Sequence, residues 1–248
     1  MFDPFGDFAD RGYLRNITGA TDLDEVKVLE HNFFEAHLEE ALAFLSSIEG
    51  DISYAHFCRV DRILFGEFYP WAGSDRHALG VGRLITKGPE HDFVQFEVSE
   101  LCWKAIEWGL GMGNHAETMR SKPGTVMGAF AWAHPFLDGN GRTMLLVHAE
   151  LAHRAGFSID WAKSRKADYL AAPTREIRQP DHRPRGHLDS YLASLVVPSS
   201  SISTLADSLS AIPGLDGRFS VNAPETAYAA HDPDAERRYR EAKHARGE

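Results

Sequence analysis

Near the middle of the chain, His134-Pro135-Phe136-Leu137-Asp138-Gly139-Asn140-Gly141-Arg142 sets a base, a carboxylate, a glycine-rich turn and a cation directly ahead of an apolar stretch. In that stretch Leu145, Leu146, Ala149, Leu151 and Ala152 recur at near-helical spacing. They predict a helix that begins close to Asn140 or Gly141 and closes at Gly156. The amino end of such a helix carries unpaired N–H groups and the positive end of the dipole, which attract phosphate. Gly139 and Gly141 lack a Cβ, so phosphoryl oxygens can approach the amides, and Arg142 can add a charge-assisted fork on the same oxygens. Asp138 is a hard oxygen ligand suited to a Mg²⁺ that bridges nucleotide phosphates. His134, with an ordinary pKa of about 6.5, can accept a hydroxyl proton at neutral pH. Together these residues describe transfer of a phosphorus-containing group onto a hydroxyl.

Each residue taken singly has a plainer reading. A lone histidine is more often a satisfied buried residue, a lone aspartate a helix cap, and paired glycines a tight turn. The joint arrangement is what favours chemistry. Gly-Asn-Gly-Arg without a lysine is not a Walker A loop. Phe136 reads as a core anchor for the loop. Further along, His148 and His153 are separated by about 500° of helical rotation and do not converge on a metal.

The surrounding pattern is helical. Asp22 as N-cap, Glu25 in the first turn and Val26, Leu29, Phe33, Leu38, Leu42 and Leu45 predict one long helix over 22–47. Ser53 precedes a second helix that stops before Pro70. Residues 73–89 read as a loop and short hairpin. Helical patterns follow at 92–110 and at 114–133, the latter broken at Lys122-Pro123-Gly124, and again around 164–178 and 186–196. Beyond Pro198 a serine-rich stretch reads as a connector with an apolar patch at Leu205, Leu209 and Ile212. Residues 232–248 are arranged favourably for a helix dipole but are poor in apolar side chains. No internal repeat is found.

A length of 248 residues with 43% hydrophobic content is enough for one large domain with a sizeable core. The formal charge of −10 argues against general binding to nucleic acid or anionic membranes. Two distant cysteines, Cys58 and Cys102, suggest a reducing compartment without a disulfide framework or zinc site. The amino-terminal residues have neither a basic region nor a long apolar run, so a cytoplasmic location is expected, with delivery into another cell as a secreted effector left open.

The motif resembles the Fic (Fic/Doc) family signature HxFx(D/E)GNGRxxR at every specified position except the last, where Leu145 stands in place of a second arginine. Gly12-Tyr13-Leu14-Arg15-Asn16 with Gly19, and Phe68-Tyr69-Pro70-Trp71-Ala72-Gly73 with Arg76, are similar to upstream segments of the same family, so the likeness spans roughly residues 10–196. It implies a mostly α fold, a Fic-type helical bundle with a short β-hairpin flap. The expected division is an amino-terminal segment (1–21), a Fic domain (22–196) and a C-terminal connector and tail (197–248).

The resemblance also implies a protein adenylyltransferase that moves AMP from ATP to a Ser, Thr or Tyr hydroxyl of a target protein. His134 would be the base, Asp138 would hold Mg²⁺ or Mn²⁺, and Gly139, Asn140, Gly141 and Arg142 would bind the nucleotide phosphates. Arg76 and Lys87 would lie on the flap that docks the target. Leu145 leaves open relatives' alternative chemistries: phosphoryl, UMP or phosphocholine transfer. The family's inhibitory pattern (S/T)xxxE(G/N) has no full match, since Val26 follows Glu25 and Leu45 precedes Glu49. A separate antitoxin partner is the third possibility. A binding protein that keeps the motif as a relic is disfavoured by the intact His134, Asp138 and Arg142.

Overall fold

The computed structural model describes residues 4–6, 13–87, 94–164, 187–199, 202–210 and 226–229, with single positions at 237, 240, 241 and 244. The long first helix forms as expected. In α1 (Leu23–Ser46) the Asp22 carboxylate accepts from the Asp24 and Glu25 N–H groups at 3.1 and 3.0 Å. This cap satisfies orphan donors at the positive end of the dipole. One stripe of α1, Val26, Phe34, Leu38, Ala41, Leu42 and Leu45, is buried. It packs on α2 (Tyr54–Phe65), which Ser53 and His56 close with a reciprocal capping box.

The centre of the bundle is α6 (Pro123–Ala133), buried on nearly every side. It packs against α4 (Cys102–Gly113) and against α7 (Asn140–Arg154), with α5 (Ala116–Ser121) before it. The expected break falls at Lys122, with Pro123 in the first turn of α6, where its missing N–H costs nothing. A Cβ on Gly124 would meet the Leu188 carbonyl carbon and the Asp189 nitrogen at 2.1 Å, so only glycine lets α8 (His187–Ala193) lie this close. Asp189 repays the approach by accepting from the Thr125 N–H at 2.6 Å and its hydroxyl at 2.7 Å.

Between α2 and α4 a short α3 (Arg76–Leu79) leads into β1 (Leu84–Lys87) and β2 (Val94–Gln95). The mostly helical fold and short hairpin are as expected, with corrections in three places. The stretch 92–110 is not one helix: Val94 belongs to a strand and the helix starts only at Cys102. Val94 and Phe96 bury one face at a spacing of two, a strand period that Phe93, Phe96 and Val98 can equally mimic as helical. The helix expected over 186–196 stops at Ala193 and gives way to β4 (Val196–Pro198), antiparallel to β3 (Phe157–Ile159).

The stretch read as a connector contains α9 (Ile202–Ser210), whose Leu205, Ala206 and Leu209 enter the main core beside α1. Beyond it β5 (Thr226–Ala229) adds to the hairpin, giving an antiparallel sheet of order β2-β1-β5. The helix signal at 164–178 and most of 232–248 lie outside the described residues. Among the described residues no helix is long and apolar enough to cross a membrane.

Candidate active site

The chain leaves α6 at His134 in the left-handed region, φ 44 and ψ 55, the one non-glycine residue with positive φ among those described. For an L-residue this conformation costs about 1–2 kcal/mol, so something must hold it. That something is Arg76, fully buried. Its Nε donates to the His134 carbonyl at 2.8 Å, its Nη2 to Glu97 O at 2.9 Å, and its Nη1 to Gly82 O and to Arg83 O, the last at 3.2 Å. Its backbone N–H donates to Pro135 O at 2.8 Å. The rigid guanidinium fork thus ties the base of the flap to the loop that carries the histidine. Arg76 was expected to meet a target on the flap; its place is beneath the flap, with 0% of its surface exposed.

The His134 ring stacks on Phe96 at 3.9 Å between centroids, tilted by 17°. A hydrogen bond to the Ala131 backbone leaves its Nε2 buried with no protein partner. Burial, then the positive charges of Lys87 and Arg76, hold the imidazole well below its usual pKa, so it stays neutral and able to accept a proton. Lys87 ends β1 half-buried, its Nζ 6.0 Å from the Phe96 ring centroid. Burial draws its ammonium below the ordinary lysine range, opposed by the Asp138 charge. Lys87 therefore adds a cation near both His134 and Asp138.

Between His134 and α7 the loop is braced from within. The Asn140 side chain accepts from the Phe136 N–H at 2.9 Å and donates to the Phe136 carbonyl at 2.8 Å. Asn140 was expected to bind phosphate; its side chain is committed to the loop, and only its backbone N–H remains for a ligand. Gly139 has φ 77, and a Cβ there would press into the Phe65 ring at 2.6 Å. Beneath it lies Asp61, which accepts from the Gly73 N–H at 2.7 Å and the Thr143 hydroxyl at 3.1 Å, joining the pre-flap segment to the first turn of α7. Burial pushes this carboxyl up to about 7.

At the start of α7 the Arg142 and Thr143 N–H groups return to the Gly139 carbonyl at 3.1 and 3.0 Å, whereas those of Asn140 and Gly141 have no partner. The positive end of a fifteen-residue helix is thereby open. Asp138 is beside it, 45% exposed, with Oδ1 accepting from the Gly139 N–H at 2.7 Å. Its remaining oxygen suits a Mg²⁺ that takes one carboxylate and fills its other positions with water and phosphate oxygens. Among the described residues no group of three or more ligating side chains competes for that role.

Arg142 lies over the Phe65 ring at 4.6 Å, pairs with Glu30 of α1, and stands 4.0 Å from Asp138. Burial lowers its guanidinium to about 9, still charged at neutral pH. Leu145 is 2% exposed and belongs to the main core. Sequence reasoning missed Glu30, Asp61 and Phe96. A signal for the two acids existed: Glu30 interrupts the apolar stripe at Val26 and Phe34, and Asp61 sits among Val60, Ile63 and Leu64.

Known proteins resemble this chain in sequence and in fold. A Sinorhizobium fredii protein named probable protein adenylyltransferase y4lH is 30% identical over 170 residues, covering 65% of this chain and 82% of that protein. Protein adenylyltransferase VbhT of Bartonella schoenbuchensis is 26% identical over 170 residues, and the chain spans only 35% of its length. Crystal structures of the same fold include the BepC protein of Bartonella tribocorum with bound AMPPNP, 19% identical with a TM-score of 0.58 over 77% of this chain and 95% of that one. The Fic domain of a Bartonella quintana effector with bound ADP is 21% identical, with a TM-score of 0.60 over 79% of this chain and 96% of that one. The sequence model of the Fic/DOC family matches residues 51–152, which hold β1, β2, the histidine loop and the amino end of α7; the chain belongs to the Fic/DOC family.

Proposed function

We propose that this protein is an adenylyltransferase that moves AMP from ATP to a hydroxyl of a protein. The observation that carries the reading is the neutral, buried and unpartnered Nε2 of His134 beside the open N–H groups of Asn140 and Gly141. His134 takes the proton from the attacking hydroxyl. The Asn140 and Gly141 amides and the α7 dipole meet the charge that develops on the phosphates, where preorganised donors are most effective. Arg142 joins them by exchanging Glu30 for phosphate oxygens. Asp138 would hold a Mg²⁺, which when bound neutralises phosphate charge. The names of the two relatives, both adenylyltransferases, support this donor.

A second reading, transfer of another phosphorus group, is favoured by Leu145. With that side chain in the core, Lys87 is a cation of the described residues that stands near both His134 and Asp138. A direct test incubates the purified protein with cell extract and Mg²⁺, using ATP labelled at the α or the γ position. Label from the α position alone is expected on protein, and His134→Ala should abolish it while circular dichroism stays unchanged. Label from γ alone would replace AMP transfer by phosphoryl transfer. Undiminished labelling by folded His134→Ala would remove the histidine from the chemistry.

A further inference from the structure

A helix leaves the carbonyls of its last turn without partners of its own, and at the end of α6 each of them finds a donor. Phe130 O accepts from the His134 N–H at 3.3 Å, and Ala131 O from the His134 ring. From there on the donors belong to the flap or to the short helix that leads into it. Trp132 O accepts from the Glu97 N–H at 3.1 Å, Ala133 O from Arg76 Nη2 at 3.4 Å, His134 O from Arg76 Nε at 2.8 Å and Pro135 O from the Arg76 N–H at 2.8 Å. All but the first of these donors are Arg76.

The same guanidinium reaches Gly82 O and Arg83 O ahead of β1 and Glu97 O after β2, so one rigid plane joins both limbs of the hairpin to the end of α6. Its charge suits the place, because a cation at the carboxyl end of a helix meets the negative end of the dipole. The hairpin also holds the imidazole itself, through Phe96, the residue before Glu97, which stacks on the ring at 3.9 Å. The flap thus grips His134 both by its backbone and by its ring.

We propose that the flap positions the base: Arg76 fixes the backbone of His134 and Phe96 fixes its ring, so that Nε2 is held where the acceptor hydroxyl gives up its proton. The proposal rests on the reading of His134 as the base of AMP transfer. Arg76 has 0% of its surface exposed, so it acts through His134 and not on a nucleotide or an acceptor. Lysine in its place keeps the charge but gathers its donors on a single nitrogen, which cannot lie along the His134, Gly82 and Glu97 carbonyls at once. A flap displaced from α6 would leave these carbonyls without donors and the imidazole without its stacking partner. A reacting group misplaced by about 1 Å costs about 10²-fold in rate.

The test compares the full chain with Arg76→Lys in the labelling of extract proteins from α-labelled ATP and Mg²⁺, and measures ATP binding separately by calorimetry. With circular dichroism matching the parent, the rate at saturating ATP should fall roughly tenfold to a hundredfold while the Kd for ATP stays within about twofold. The pH profile separates position from charge. Arg76 and Lys87 are the cations that depress His134, so the acid limb should stay in place in Arg76→Lys and move up in Arg76→Gln. Where the Arg76 variants do not fold, Phe96→Leu removes the ring contact and leaves the fork, and the same loss of rate at unchanged ATP affinity is expected. Spectra of ¹⁵N-histidine-labelled protein read the ring without chemistry, and the His134 ring signals should shift in Arg76→Lys or, where that does not fold, in Phe96→Leu. A folded variant that keeps the parent's rate, a loss of rate matched by loss of ATP affinity, or ring signals that do not move would overturn the proposal. If the ring signals move but the parent labels no protein at all, the transfer reading fails, and the positioning role in transfer with it.

Discussion

His134 carries two costs that a histidine kept for stability alone would avoid, a left-handed backbone and a buried ring nitrogen with no partner. Both fit the proposed base: the backbone turns at the end of α6, and Nε2 is left open to take a proton. Because burial and two nearby cations hold its pKa well below 6.5, the acid limb of the pH–rate profile should lie below pH 6.5, not at it. A single-turnover profile with an apparent pKa at or above 6.5 would assign the limb to another group. Asn140 is a second residue whose role is positional. Asn140→Ala strands the buried N–H and C=O of Phe136, at about 1–3 kcal/mol for each group. A lowered melting temperature together with a reduced kcat/KM is expected; an unchanged melting temperature would show that the loop holds without its brace. The motif was legible in the sequence because its residues are contiguous. Glu30 and Asp61 were not, because an acid on an apolar face identifies itself as buried without naming its partner.

At the level of elements, α7 does two jobs at once, and Leu145 shows how they divide. Its first turn leaves the Asn140 and Gly141 N–H groups open to the proposed phosphate site, while Leu145, Leu146 and Leu151 fill the core. Restoring the family's second arginine by Leu145→Arg would place an unpaired guanidinium in that core, at a cost of roughly 3 kcal/mol or more. For a chain of this size that lowers the melting temperature by roughly 6–12 °C. Scanning calorimetry with an ATP titration checks it, and a variant of parent stability with tighter ATP binding would mean the side chain reaches the phosphates instead. Capped helices such as α1 and α2 were legible because Asp22 and Ser53 act on neighbouring N–H groups. The flap was only half legible: the strand around Val94 was hidden in a helix-like spacing, and nothing local in Thr226-Ala227-Tyr228-Ala229 says that its partner is β1.

Across the whole molecule, three buried titratable groups pull the stability in opposite directions between pH 4 and 7. His148 donates from Nε2 to the Pro123 carbonyl at 2.8 Å, and burial lowers its pKa to about 4. Its contribution is complete above pH 6.5 and is lost as pH falls toward 4, and His134, also depressed, acts in the same direction. Asp61 has the reverse sign. Its pKa is raised to about 7, so its contribution is present at the acid end of the window and is lost as pH rises through 7. At about 1.4 kcal/mol per unit, His148 and Asp61 each move the balance by a few kcal/mol in opposite senses, so they largely offset each other. The parent's melting temperature should therefore change little from His148 and Asp61 on acidification. Asp61→Asn keeps an acceptor for the Gly73 N–H but cannot titrate, so relative to the parent it should lose stability as pH falls from 7 to 4. His148→Gln keeps a donor for Pro123 and should gain on the same path. Melting temperatures of the two variants, each taken as a difference from the parent at the same pH, should diverge in opposite directions; differences that stay flat would mean that both groups titrate in the folded protein as they do in the unfolded chain, and that the space beneath the Gly139 turn is wetter than its packing implies.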